Sequence, residues 1–310
     1  MYKQIFKKRV LFIGVPDMAY ICLDGLHMSG ANIVGVLGAK KDHPTYMAFK
    51  RFTQLRKLNF IEYNELDDIF LIDKIRDLQA DIAVVCSYNN KIPEVFLNSV
   101  KDGFINVHPS LLPKYRGANP YSAVIINGEK ETGVTLHFMD KKFDTGDIIS
   151  QKRLAISEME TMGTLFNRLN ILALNMLLET LKEYEQTELK RQKQPEGEFV
   201  RGKAIREELS FINYEKTAEE IERFIRALNP FFIATTNFRS NIVKIFATEI
   251  INEKSKEPAG TIVKIENDRF YVATKDGLLM PSALQFGSFF AGTAKDFIKV
   301  LNPKIGERFS

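Results

Sequence analysis

Residues 104–149 read FINVHPSLLPKYRGANPYSAVIINGEKETGVTLHFMDKKFDTGDII and carry Asn106, His108 and Asp144. An amide, an imidazole and a carboxylate together can polarise a carbonyl, manage a proton and fix the state of a histidine. In Phe104-Ile105-Asn106-Val107-His108 apolar and polar residues alternate, so a strand would send Asn106 and His108 to the same side. Pro109 stops regular pairing, and Leu111-Leu112-Pro113 followed by Arg116-Gly117 reads as an ordered loop. A strand over residues 134–139 then leads to Asp144-Thr145-Gly146-Asp147, a turn that can bring an acid to the histidine. A lone histidine in an apolar run is ordinarily a packed core residue, and an asparagine in a loop ordinarily serves turn geometry. The three polar types joined by one proline-limited segment read instead as an active site.

The elements that must position them alternate in type. Residues 10–15, 33–37 and 82–86 are short apolar runs of strand character, and residues 18–29 and 69–78 show helical spacing. That alternation predicts an α/β fold, a doubly wound, Rossmann-like and mostly parallel sheet with helices on both faces. The first turn, Gly14-Val15-Pro16-Asp17, lacks the G-x-G-x-x-G pattern, which argues against a nicotinamide or flavin site. Ligands collect at the carboxyl ends of strands in such sheets, where Ser87-Tyr88-Asn89-Asn90 and His108-Pro109-Ser110 would lie. Residues 161–184 read as a long helix with Leu165, Leu169, Leu172 and Met176 as its packing face. The charged run 183–206, interrupted by Pro195 and Gly197, reads as a solvated linker, with a boundary near residue 205.

Thr217-Ala218-Glu219-Glu220 is a capping box that opens a helix with Ile221, Phe224, Ile225 and Leu228 on one face, ended by Asn229-Pro230. Strands over residues 243–249, 260–265, 270–273 and 277–284 would follow, as a small antiparallel barrel or meander. The expected domains are therefore 1–185, a linker at 186–206, and a helix plus small OB-like β-barrel domain at 207–310.

With 310 residues and 45% hydrophobic content the chain can fill two cores. Cys22 and Cys86 lie far apart in apolar surroundings, as buried free thiols of a reducing compartment, so a cytoplasmic protein is expected. The first apolar run ends at Gly14 and Pro16, too short for a signal or a membrane span. His27, His43, His108 and His137 show no paired ligand spacing, and no metal is expected.

NVHPSLLPKYRG followed by ETGVTLHFMDKKFDTGDII resembles the catalytic region of the formyltransferases that use 10-formyltetrahydrofolate. That family contains methionyl-tRNA formyltransferase, glycinamide ribonucleotide formyltransferase and the nucleotide-sugar N-formyltransferases. RALNPF at residues 226–231, with the later LQFG and GERF segments, resembles the C-terminal domain of the methionyl-tRNA and sugar branches. The resemblance places the family's catalytic asparagine, histidine and aspartate on Asn106, His108 and Asp144. It implies 10-formyltetrahydrofolate as formyl donor, its pterin resting against Cys86, Ser87, Tyr88 and Asn89 and against Met139 and Asp140, with Leu112 and Pro113 nearby. Asn106 and His108 would donate N–H groups to the formyl oxygen, and Asp144 would orient His108 or accept the amine proton.

The resemblance implies a primary amine as the acceptor. Methionyl-tRNA formyltransferases carry a basic loop between the second strand and the next helix that grips the acceptor stem, whereas here residues 38–47 are short and hold only Lys40 and Lys41. No concentrated basic run outside 182–201 offers phosphate contacts. Together with KYRGANP and the preceding SLLP, which resemble the sugar-modifying branch, these features favour a small acceptor, the amino group of a nucleotide-linked 4-amino sugar. Lys114, Tyr115, Arg116 and Asn119 would then contact its diphosphate, sugar or base. Initiator methionyl-tRNA is the alternative acceptor, and neither DNA nor a membrane is expected as a partner.

Overall fold

The computed structural model describes residues 6–16, 18–88, 90–202, 209–239, 241–287 and 290–310. The chain divides into two compact units. The first comprises Met1–Pro120, Glu131–Ala155 and Asn167–Gly202, the second Tyr121–Lys130, Ile156–Phe166 and Lys203–Ser310. The boundary expected near residue 205 lies outside the described residues.

The chain opens with β1 (Arg9–Gly14), α1 (Met18–Met28), β2 (Asn32–Leu37), α2 (Tyr46–Leu55), β3 (Phe60–Ile61) and α3 (Ile69–Asp77). Then come β4 (Ile82–Cys86), α4 (Glu94–Leu97), β5 (Phe104–His108), the two-residue β6 (Arg116–Gly117) and α5 (Pro120–Ile126). They are followed by β7 (Glu131–Phe138), β8 (Ile148–Ala155), α6 (Met162–Tyr184) and the two-residue β9 (Arg201–Gly202). Seven strands form one sheet in the order β3-β2-β1-β4-β5-β7-β8. β1 to β5 run parallel, β7 pairs antiparallel with β5, and β8 pairs antiparallel with β7.

All five residues of β4 are buried, which is why it reads as a continuous apolar run, as strands covered on both faces do. Leu11, Ile13, Val85 and Phe104 from the strands pack with Leu71, Ile75 and Phe96 from the helices. Asp68 caps α3 by accepting from the Phe70 N–H. Gly14 stands where a Cβ would lie 2.6 Å from the Ala19 Cβ and 2.8 Å from the Cys86 carbonyl oxygen. A larger residue there would push α1 away from β4.

The charged segment beyond α6 is exposed, as its composition implies, yet it is tied down along its length. Gln192 and Ile148 exchange two backbone hydrogen bonds of 2.7 and 2.9 Å. The Tyr115 N–H donates to the Val200 carbonyl at 2.6 Å, and β9 pairs with β6. Charge content reports exposure, whereas backbone pairing depends on which edge the chain passes.

In the second unit, Thr217 and Glu220 form the capping box that opens α7 (Ala218–Leu228), whose Ile221, Ile225 and Leu228 are buried. β10 (Ala234–Phe238), β11 (Asn241–Ile251), β12 (Ile262–Glu266), β13 (Arg269–Ala273) and β14 (Leu278–Phe286) form a sheet in the order β10-β11-β14-β13-β12. β15 (Phe290–Thr293) joins β14, and α8 (Ala294–Leu301) follows. The C-terminal residues close this sheet. Ser310 exchanges backbone bonds with Asn237 of β10, and Phe309 donates to the Gly260 carbonyl just before β12. Phe309 packs with Phe238 and Phe270 at ring-centroid separations of 4.9 and 5.9 Å. α5, β10, β15 and α8 are absent from the sequence reading. They are short, and the start signals present, Asn119-Pro120 before α5 and the Thr293-x-x-Asp296 box of α8, are followed by no long periodic run.

Candidate active site

Asn106 and His108 sit two residues apart on β5, on the side facing away from Val107, as the alternation predicts. The β5–β7 register sets His137 opposite Asn106 and Thr135 opposite His108. Asp144 arrives from the turn after β7, where its φ of 55° places a non-glycine residue in the left-handed region. The turn needs Gly146, because a Cβ there would lie 1.8 Å from the Phe138 carbonyl oxygen. Thr135 also fixes the loop after His108: its hydroxyl donates to the Ser110 carbonyl at 2.6 Å and accepts from Leu112 N–H at 3.2 Å and Gln151 Nε2 at 2.8 Å.

These residues form one network. Asn106 Nδ2 donates to Asp144 Oδ1 and to His137 Nε2, both at 3.1 Å. His137 Nδ1 donates to the Phe138 carbonyl at 2.8 Å, which leaves its Nε2 as an acceptor. Asp144 Oδ2 accepts from the Gly117 N–H at 2.8 Å. His108 Nε2 donates to the Tyr115 carbonyl at 2.9 Å, and its Nδ1 stands 3.7 Å from Asp144 Oδ1.

The geometry refines the chemistry expected from residue types. His108 is oriented by the Tyr115 carbonyl, since 3.7 Å is too long for a hydrogen bond to Asp144. Burial pushes the His108 imidazole below its ordinary value against the opposing pull of Asp144, so the ring is neutral at pH 7. Its single N–H is committed to Tyr115, so Nδ1 is a proton acceptor, and a proton placed there would lie beside a carboxylate. Burial by itself would raise Asp144, but His108, His137 and the Gly117 N–H hold it well below the usual carboxylate range. Both Asn106 hydrogens are engaged. An incoming carbonyl oxygen would displace the neutral His137 acceptor more readily than the charge-assisted bond to Asp144. The sequence reading weighed His137 only as a metal ligand and missed its place beside Asn106, because antiparallel register is set by the paired strand and leaves no local mark.

Of the positions expected at the pterin, Tyr88, Met139 and Asp140 line a narrow cleft of about 30 Å³ together with Ile92, Asn106 and Asp144. The Tyr88 hydroxyl is held 2.8 Å from that of Tyr63, which donates to the Gly38 carbonyl. Cys86 and Leu112 point into the interior, and Ser87 and Pro113 are not among the cleft's described lining residues. Asn89 lies outside the described residues. Of the positions expected at the acceptor, Lys114 is exposed and Arg116 and Asn119 are half-buried. The Tyr115 ring is buried, so this residue meets the site through its backbone. Among the described residues no three His, Cys, Asp or Glu side chains gather to hold a metal, and no helix is long and apolar enough to cross a membrane.

The sequence profile described as Formyl transferase matches residues 8–181, and Formyl transferase, C-terminal domain, matches residues 204–302. The chain belongs to the formyl transferase family. This formyltransferase is 35% identical over 284 residues to methionyl-tRNA formyltransferase of Clostridioides difficile (strain 630), covering 89% of the chain and 92% of the relative. It is 33% identical to the methionyl-tRNA formyltransferase of Alkaliphilus oremlandii (strain OhILAs), covering 94% of the chain and 96% of the relative. Among solved structures, WlaRD, a sugar 3N-formyl transferase in the presence of dTDP and 5-N-formyl-THF, superposes with a TM-score of 0.67. That match has 21% identity and covers 91% of this chain and 99% of WlaRD. HypX from Aquifex aeolicus in complex with tetrahydrofolic acid gives a TM-score of 0.64 at 16% identity, over 96% of this chain and 48% of HypX.

These relatives correct one expectation. The preference for a nucleotide-linked amino sugar over tRNA does not stand, because the sugar enzymes share the fold at about 20% identity while relatives above 30% over most of the chain are methionyl-tRNA formyltransferases. The preference rested on the short segment 38–47 and on the lack of a linear basic run. Loop length varies most freely among relatives, so it does not separate branches that share both domains.

Proposed function

We propose that this chain transfers the formyl group of 10-formyltetrahydrofolate to the α-amino group of initiator methionyl-tRNA. The reading is carried by the methionyl-tRNA formyltransferases that match at 30–35% identity across both profile regions. It is supported by the network of Asn106, His108, Asp144 and His137, which supplies a donor and a proton acceptor side by side. We place the domain limits at 1–185, 186–206 and 207–310, and the enzyme in the cytoplasm.

The side chains lining the cleft beside Asn106 suit a flat, partly apolar donor. Met139, Ile92 and Tyr88 give it apolar walls, and Asp144 is among its polar lining residues. At about 30 Å³ it has room for roughly one water, so seating a bicyclic ring requires the side chains along it to swing aside. Phe143, 56% exposed at the rim, has that freedom.

In the reaction the amine nitrogen bonds to the formyl carbon and negative charge develops on the formyl oxygen, where Asn106 Nδ2 donates. The proton released by the amine passes to His108 Nδ1, where the Asp144 carboxylate stabilises the imidazolium. From there it returns to the folate nitrogen as the carbon–nitrogen bond of the donor breaks. The test incubates the purified protein and 10-formyltetrahydrofolate with methionyl initiator tRNA, and in parallel with nucleotide-linked amino sugars, with mass spectrometry of the acceptors. A formyl adduct on the methionyl group is expected. An adduct only on a sugar would overturn the reading.

A further inference from the structure

The segment 190–198 is exposed at every position except Gln194, which is half-buried. Its side-chain amide makes four hydrogen bonds. Oε1 accepts from Arg116 Nη2 at 2.6 Å and Nε at 3.2 Å, and Nε2 donates to the carbonyls of Asp144 at 2.9 Å and Gly146 at 2.8 Å. Guanidinium only donates and backbone carbonyls only accept, so the amide has one orientation and no unused capacity.

The bonds close a ring around Asp144. On one side its carboxylate Oδ2 accepts from Gly117 N–H. On the other, Gln194 ties the backbone of Asp144 to Arg116, the neighbour of Gly117. β6 and β9 pair just beyond, with Arg116 opposite Arg201 and Gly117 opposite Gly202. Asp144 needs such support, since its left-handed backbone is a conformation that L side chains seldom adopt.

We propose that Gln194 is a positioning residue for the reaction, holding the Asp144 turn and the Arg116 loop in register so that the carboxylate faces His108. This rests on the site assignment given above. Its chemistry is specific: the two N–H groups to the Asp144 turn do the positioning, and the bond to Arg116 anchors the amide.

Two substitutions separate this from a general stabilising contact. Gln194→Ala removes both halves of the clamp. Gln194→Glu keeps the acceptor for Arg116 and sets a carboxylate oxygen against two carbonyls. Steady-state kinetics with the acceptor that the unsubstituted enzyme formylates, and an NMR titration of His108, are the measurements. Both variants are expected to lower kcat about tenfold or more with the donor KM within about twofold, because small displacements of a reacting group are costly. The His108 midpoint is expected to fall in both, as the Asp144 charge that favours the imidazolium moves away.

Wild-type kcat in either variant would overturn the proposal, as would activity lost only in proportion to folded protein with the His108 midpoint unmoved. Asp144→Asn serves as the reference. If it keeps normal turnover, the site assignment itself fails. If it is inactive while both Gln194 variants match wild type, only the role of Gln194 fails.

Discussion

Asn106 donates to two acceptors at once, and that arrangement sets the expected cost of losing it. Asn106 is the side-chain amide proposed to donate to the formyl oxygen, so Asn106→Ala should lower kcat by about 10²–10³, with a modest change in donor KM. Steady-state kinetics decides this, and near-normal turnover would remove Asn106 from the reaction. His108 makes a prediction in pH. Its folded value lies below the ordinary 6.5, chiefly through burial, so the folded state favours the neutral ring. The stability linked to that preference is complete above about 6.5 and is lost as pH falls through the lowered folded value. NMR should place the His108 midpoint below 6.5, and lower again in Asp144→Asn, because the carboxylate charge favours the imidazolium. A midpoint unchanged or raised by that substitution would contradict the geometry. Residue types made this chemistry readable in advance, whereas His137 became visible only once β7 was set beside β5.

Elements determine how far each residue tolerates change. The turn carrying Asp144 passes so close to the end of β7 that Gly146→Ala must displace one of them. That variant should lose most of its activity and unfold at lower temperature, measured by kinetics and thermal denaturation together. Retained activity would mean the turn relaxes without moving Asp144. On α7, Thr217→Ala removes the hydroxyl that accepts from the Glu220 N–H, while the backbone N–H of residue 217 still donates to the Glu220 carboxylate, and should cost about 1 kcal/mol in denaturant unfolding, with catalysis left intact. Such boxes, like the alternation on β5 and the buried run of β4, are local patterns, and the elements they predict match the structure to within a few residues. β10, β15 and α8 were missed because at 5, 4 and 8 residues they are too short for a periodic pattern to stand out, although β10 and β15 pair with their neighbours in the chain.

At the scale of the whole molecule the acceptor is the main consequence. A tRNA brings phosphates and their counterions, so its KM should rise steeply between about 50 and about 200 mM salt while the donor KM changes little. A tRNA KM indifferent to salt would argue against the proposed acceptor. The short loop at 38–47 and the scattered basic residues pointed to a smaller substrate, because linear charge runs and loop lengths say little about a surface assembled from several elements. By itself the sequence determined the order of strands and helices, the pairing of Asn106 with His108 on one side of a strand, and the formyl-transfer chemistry of those residue types. The first two follow from periodicity within a few residues, and the third from the resemblance of residues 106–149 to the formyltransferases. Only the tertiary structure decided that His108 leans on Tyr115, that Asn106 is shared between Asp144 and His137, and that Gln194 of a charged, exposed segment grips the Asp144 turn. Those bonds join positions from 7 to 50 residues apart, and strand register and chain path, which no local pattern encodes, set their lengths.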